Sequence, residues 1–195
     1  MRFFLAAAVV LLAVSTAVGV QGSGFQVRFE TGGTVPKLNS ATPVTIVIEK
    51  QGPPPGSAEE EAVILSVRVP AGIKLSGEKW VPLDLPLEFG EEAGEQAWTL
   101  FDWDGPVIWN KEIVGGNDIS VARIPVFFEV TEEGFNWIIT ARVRPAGGDL
   151  SQGAMGVILA TVHGEMAVFH SAPFKNPLSY ENDPPAKKNA EKNGS

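Results

Sequence analysis

Ile124-Pro-Val-Phe-Phe-Glu-Val130, then Thr131-Glu-Glu-Gly134, then Phe135-Asn-Trp-Ile-Ile-Thr-Ala-Arg-Val143 is the stretch that decides the fold class. In its first run Ile124, Val126, Phe128 and Val130 recur at every second position. In its second run Phe135, Trp137, Ile139, Ala141 and Val143 do the same. A period of two places each set on one face of an extended strand. The stretch therefore predicts two strands joined by a short turn, each burying one face, with Trp137 in the core.

The same period extends outward in both directions. Phe25, Val27 and Phe29 alternate with Gln26, Arg28 and Glu30, Val44, Ile46 and Ile48 with Thr45 and Glu49, and Leu65, Val67 and Val69 with Ser66 and Arg68. Between the runs lie Gly32-Gly33, Gly52-Pro-Pro-Pro-Gly56, Gly115-Gly-Asn-Asp118 and Ala146-Gly-Gly-Asp149. These are turn formers, because glycine reaches positive φ freely and proline fixes φ near −65°. The best helical candidate is Ser57 with Glu60 three residues on, a capping-box spacing. The β-branched, period-two run Val63–Val69 follows it, so Ser57–Glu61 reads as a loop or a single helical turn. Short strands, Gly/Pro-rich turns and no helix predict an all-β fold, an antiparallel two-sheet β-sandwich.

The ends differ in kind from this middle. Arg2 is the only charge before Arg28, and Phe3–Val14 is almost wholly Phe, Leu, Ala and Val. Small residues follow, with Ala17 and Gly19 at a peptidase spacing and Gly22 as a second cut, which reads residues 1–22 as a cleavable secretory signal. The apolar run falls short of the roughly 20 residues needed to cross a bilayer. Residues 23–180 are then expected to form one domain, and 181–195, without a large apolar residue, a disordered tail. The chain has 195 residues, no cysteine and a net charge of −8. The charge argues against nucleic acid, whose binding needs cations against phosphates. The missing cysteines exclude thiolate metal sites. The expectation is a secreted or periplasmic protein, soluble and without a membrane span once the signal is removed.

Val67-Arg-Val-Pro-Ala-Gly-Ile-Lys-Leu-Ser-Gly-Glu-Lys-Trp80 and the 124–143 stretch together resemble prokaryotic extracellular immunoglobulin-like modules of the CARDB and related adhesion-type families. The resemblance covers about half of the expected domain. It implies an immunoglobulin-like sandwich and an adhesive or structural role. The matching residues are packing and turn residues, and the long stretch Pro82–Gly116 departs from the pattern, so no function is inherited through it.

Catalytic groupings are sparse. The two histidines, His163 and His170, sit at a turn and on a strand, and no cysteine could replace a serine nucleophile. Asp102 with Asp104, and Glu91 with Glu92, read as solvated loop charges. The chain is expected not to be an enzyme and to need no cofactor. Met155, His163, Met166 and His170 are ligand types that copper accepts, and Asp102-Trp103-Asp104-Gly105 resembles the start of a calcium loop but lacks its closing glutamate.

Tryptophan is the more informative residue. Trp80, Trp98, Trp103 and Trp109 crowd the departing stretch. The expected arrangement is an inserted Trp-rich hairpin, Ala97–Phe101 and Val107–Ile113 around a loop Asp102–Pro106, with Trp103 at its tip. Its candidate binding residues are Trp98, Trp103, Trp109, Asp102 and Asp104. Either Pro82–Gly94 folds back to cover this hairpin, or it presents an exposed aromatic platform. Three functions follow in order: a non-enzymatic module binding an envelope or extracellular protein, a carbohydrate-binding module using the hairpin, and a periplasmic metal-binding protein.

Overall fold

The computed structural model describes residues 24–52, 62–83, 98–148 and 152–172. The expected signal, the 181–195 tail, the Ser57–Glu61 loop and most of the Pro82–Gly94 cover lie outside them. Eleven strands follow in chain order: β1 (Phe25–Glu30), β2 (Thr42–Gln51), β3 (Val63–Pro70), β4 (Ile73–Ser76), β5 (Trp80–Leu83), β6 (Trp98–Trp103), β7 (Asn110–Val114), β8 (Asn117–Val130), β9 (Gly134–Pro145), β10 (Ala154–His163) and β11 (Met166–Ala172). They make two antiparallel sheets, and no α-helix occurs among the described residues. One sheet runs β1-β2-β8, with β4 and β7 both paired to β8; the other runs β11-β10-β9-β3-β6-β5.

The inner faces carry the alternating apolar residues read from the sequence. Ile46, Ile48, Val126 and Phe128 of the first sheet and Leu65, Val67, Val69, Ile139 and Ala141 of the second are sealed from solvent. This is the two-sheet sandwich that the period of two requires.

Four local features bear on the site. First, β3 passes to β4 through Pro70-Ala71-Gly72, so the chain changes sheets at this corner. Second, β8 pairs with β2 along one side, while β4 and β7 occupy only the two ends of its other side. Ala122–Val126 has no strand partner there among the described residues. Pro125 lies in that gap, where its missing N–H breaks no ladder bond, and its carbonyl accepts a hydrogen bond from Trp80 Nε1 at 3.3 Å.

Third, Asn136 takes a positive φ of 53°, and the β9–β10 register shifts between Ala160 and Val162. Trp137 stays half-buried against the core, whereas Phe135 is 59% exposed. The strict alternation expected for Phe135 thus fails, because an irregularity in the ladder turns the residues before it to the other face. Fourth, Gly156 of β10 lies so close to β1 that a Cβ there would sit 2.7 Å from the Val27 carbonyl oxygen. Backbone cannot yield as a side-chain tip can. Gly156→Ala is therefore expected to cost about 1–3 kcal/mol by overpacking, read as a lower denaturant midpoint. An unchanged midpoint would mean that β1 and β10 do not approach this closely.

The expected Trp-rich hairpin does not form. β6 pairs with β3 and β5 in the second sheet, and β7 pairs with β8 in the first. The stretch between them, Asp104–Trp109, crosses from one sheet to the other. The cause is at the far end of β7. Gly115 and Gly116 have φ of 59° and 84°, the two positive values of the tight hairpin turn, and they commit β7 to the strand that follows it.

Candidate functional site

With β6 and β7 in different sheets, the five candidate binding residues separate. Trp103 points into the sandwich, its ring edge-on to Trp80 at 5.2 Å between centroids, and its Nε1 donates to the Pro106 carbonyl at 3.4 Å. Trp109 is also half-buried against the core and reaches Phe25 of β1 at 6.3 Å. Asp104 is exposed and donates its backbone N–H to Lys79. Only Trp98 and Asp102 share the outer face of the second sheet. Among the described residues no aromatic platform is assembled, and Trp80 packs edge-on against Trp103.

Of the four soft-ligand residues, His163 and Met166 face each other across the β10–β11 hairpin, while Met155 and His170 lie elsewhere on the sheet. His163 pairs its Nδ1 with Glu133 at 3.2 Å and stacks on Phe135 at 4.6 Å. His170 lies opposite Leu159, and Met155 opposite Arg142. Among the described residues no three His, Asp or Glu side chains group to hold a metal ion. No helix there is long and apolar enough to cross a membrane.

What distinguishes one side of the molecule is the contrast between its two outer faces. On the first sheet the outward cations are matched by carboxylates. Arg28 pairs with Glu30 and with Glu49, Arg123 with Glu112 at 2.5 Å, and Lys74 with Glu129 at 3.8 Å. Partial burial pulls the Arg28 guanidinium down, but its hydrogen bonds to Glu30 and Glu49 outweigh this and hold it above its ordinary value. The hydrogen bond from Arg123 holds the Glu112 carboxyl below its ordinary 4.5 against a small opposing desolvation. A depressed carboxyl contributes fully above the ordinary value, and the contribution is lost as pH falls through the depressed one. The Glu112 side-chain carbon should therefore titrate below 4.5 by NMR, and Arg123→Ala should raise the midpoint toward that value. Equal midpoints in the two proteins would show that the pair does not persist in solution.

The outer face of the second sheet is built differently. Its rows follow from the strand register: Val157, Thr140, Arg68, Leu100 and Leu83 lie side by side across β10, β9, β3, β6 and β5, and Arg142, Ser66, Asp102 and Val81 form the row beside it. Arg144 sits opposite Ile64. Leu159, Val157, Ile64 and Leu100 are half-buried, while Ile138 and Val168 are 45% and 41% exposed. Three arginines stand among them. Arg68 lies 4.0 Å over the Trp98 ring, Arg142 Nε is 3.4 Å from Met155 Sδ, and Arg144 donates to the Gly148 carbonyl at 3.2 Å. None of the three pairs with a carboxylate among the described residues. Asp102 is the one described carboxylate on this face, and its Oδ1 is buried without a hydrogen-bond partner.

Reading the sequence for tryptophan missed these arginines. Their signal was present, since Val67-Arg68-Val69 and Ala141-Arg142-Val143-Arg144 put arginine at successive outward positions of an otherwise acidic chain.

No protein-family model, curated protein or solved structure matches the chain.

Proposed function

We propose that the chain is a non-enzymatic, extracytoplasmic β-sandwich module that binds another protein at the cell envelope. The observation that carries this reading is the outer face of the six-stranded sheet. It sets aliphatic side chains and Trp98 around arginines that pair with no carboxylate among the described residues, while on the opposite outer face Arg28, Lys74 and Arg123 pair with carboxylates. Arginine and tryptophan amid apolar neighbours are the residues that dominate protein–protein contacts. The resemblance to adhesion-type modules and the amino-terminal apolar run support the same reading. A carbohydrate-binding role loses its expected platform, since Trp103 and Trp109 pack inward.

The test is cross-linking of the tagged protein in its native envelope, comparing the parent with Leu100→Asp, which places a charge amid the aliphatic side chains. A cross-linked protein partner lost in Leu100→Asp supports the reading. Partners unchanged by Leu100→Asp would move the binding surface elsewhere.

A further inference from the structure

We infer that the partner surface taken by this face is an acidic, extended polypeptide segment, with carboxylates at successive same-side positions seated on Arg68, Arg142 and Arg144 and apolar side chains at the same-side positions flanking them. This rests on the protein-binding reading above and adds the chemistry of the occupant.

The geometry is that of two adjacent strands. Arg142 lies across from Ser66 and Arg68 across from Thr140, so the two arginines are diagonal neighbours on one face, about 7–8 Å apart at their backbones. Arg144 follows Arg142 on the same face, about 7 Å further along β9. A peptide in extended conformation repeats its same-side residues at that spacing, so alternate carboxylates can meet successive guanidiniums.

Each guanidinium is steadied by a neutral neighbour: the Trp98 ring, the Met155 sulfur or the Gly148 carbonyl. A guanidinium has five N–H donors in a planar fork, and these neighbours engage few of them. The remaining donors suit carboxylates, which arginine binds in pairs of parallel hydrogen bonds. Asp102 is the one described carboxylate on the face, and its Oδ1 is buried, so it offers the segment little competing negative charge.

Charge alone would also suit an anionic glycan or an anionic lipid surface. The aliphatic residues decide between them. Ile64 lies beside Arg144, Leu100 beside Arg68, and Val157 across Thr140 from Arg68, where a polyanionic sugar would leave these aliphatic side chains uncovered. They lie half-buried in a sheet face, so they do not protrude as a membrane-inserting side chain would.

The probe is a fluorescein-labelled nonapeptide with leucine at its first and last positions, glutamate at its third, fifth and seventh and serine at the others, so that leucines and glutamates share one side when extended, titrated with the purified chain by fluorescence anisotropy. Saturable binding that weakens with added salt is expected. Arg68→Ala/Arg142→Ala should weaken it at least about tenfold. Arg123→Ala, on the opposite face, should leave it unchanged, and circular dichroism should show all variants folded. Equal binding of a leucine–lysine peptide, tighter binding of heparin or of phosphatidylglycerol vesicles, or no effect of the double variant would overturn the inference. If the acidic peptide fails while Leu100→Asp still loses its cross-linked partner, the occupant's chemistry is wrong and the protein-binding reading stands. If both fail, the two fall together.

Discussion

Trp137→Ala is expected to lower folding stability by about 3–5 kcal/mol, the range for removing a large aromatic side chain from a packed site. The indole fills a slot with two walls. A Cβ on Gly72 would meet the ring at 2.8 Å, and one on Gly134 at 2.6 Å. Gly72 belongs to the corner where the chain changes sheets, and Gly134 opens β9, so the ring joins that corner to the hairpin turn. The slot is lined by backbone that cannot collapse onto a methyl group, which keeps the cost within this range although the ring is only half-buried. Trp137 Nε1 is buried with no hydrogen-bond partner. A buried, unsatisfied donor costs about 1–3 kcal/mol. Trp137→Phe, which discards the donor and keeps most of the ring, should therefore lose far less than Trp137→Ala. Guanidinium unfolding of the two variants measures the difference. Equal losses would mean that the N–H is satisfied, and no loss in either would take the ring out of the slot.

The second large effect is expected at Trp103, where alanine should cost about 3 kcal/mol. Part of this is removal of a large side chain that packs, partly buried, against the core. Part is the edge-on contact with Trp80, a geometry worth about 0.5–1.5 kcal/mol beyond area. Gly105 also lies against this ring, with a Cβ there meeting it at 2.7 Å. Thermal or chemical denaturation of Trp103→Ala checks this. A variant as stable as the parent would return Trp103 to the surface and reopen the aromatic platform.

These two tryptophans show how far the sequence could be read. Trp137 was legible because its neighbours Ile139, Ala141 and Val143 repeat its phase. Even there the phase slipped at Phe135: asparagine tolerates left-handed backbone better than other side chains do, but Asn136 alone does not announce the register shift beside it. Trp103 was misplaced because adjacency in sequence was taken for adjacency in the sheet. Asp102–Pro106 looks like a loop between two strands, and only the committed glycine turn at Gly115-Gly116 shows that the second strand pairs onward. The partner of β6 is β3, from a distant part of the chain, and such a pairing leaves no local trace. The arginine face was hidden for a related reason. Arg68 and Arg142 lie on strands far apart in sequence, and only the β3–β9 register sets them side by side.

The interruption on the far side of β8 has a further consequence, for the company the molecule avoids. An open run of backbone along a long strand is a template on which foreign strands nucleate, the usual route from a β-protein to a fibril. Between Ala122 and Val126 the chain withdraws that template chemically. Pro125 offers no donor, and its carbonyl is already taken by an indole from the other sheet. A strand arriving from a second molecule would find there one bond it can never make and another already occupied.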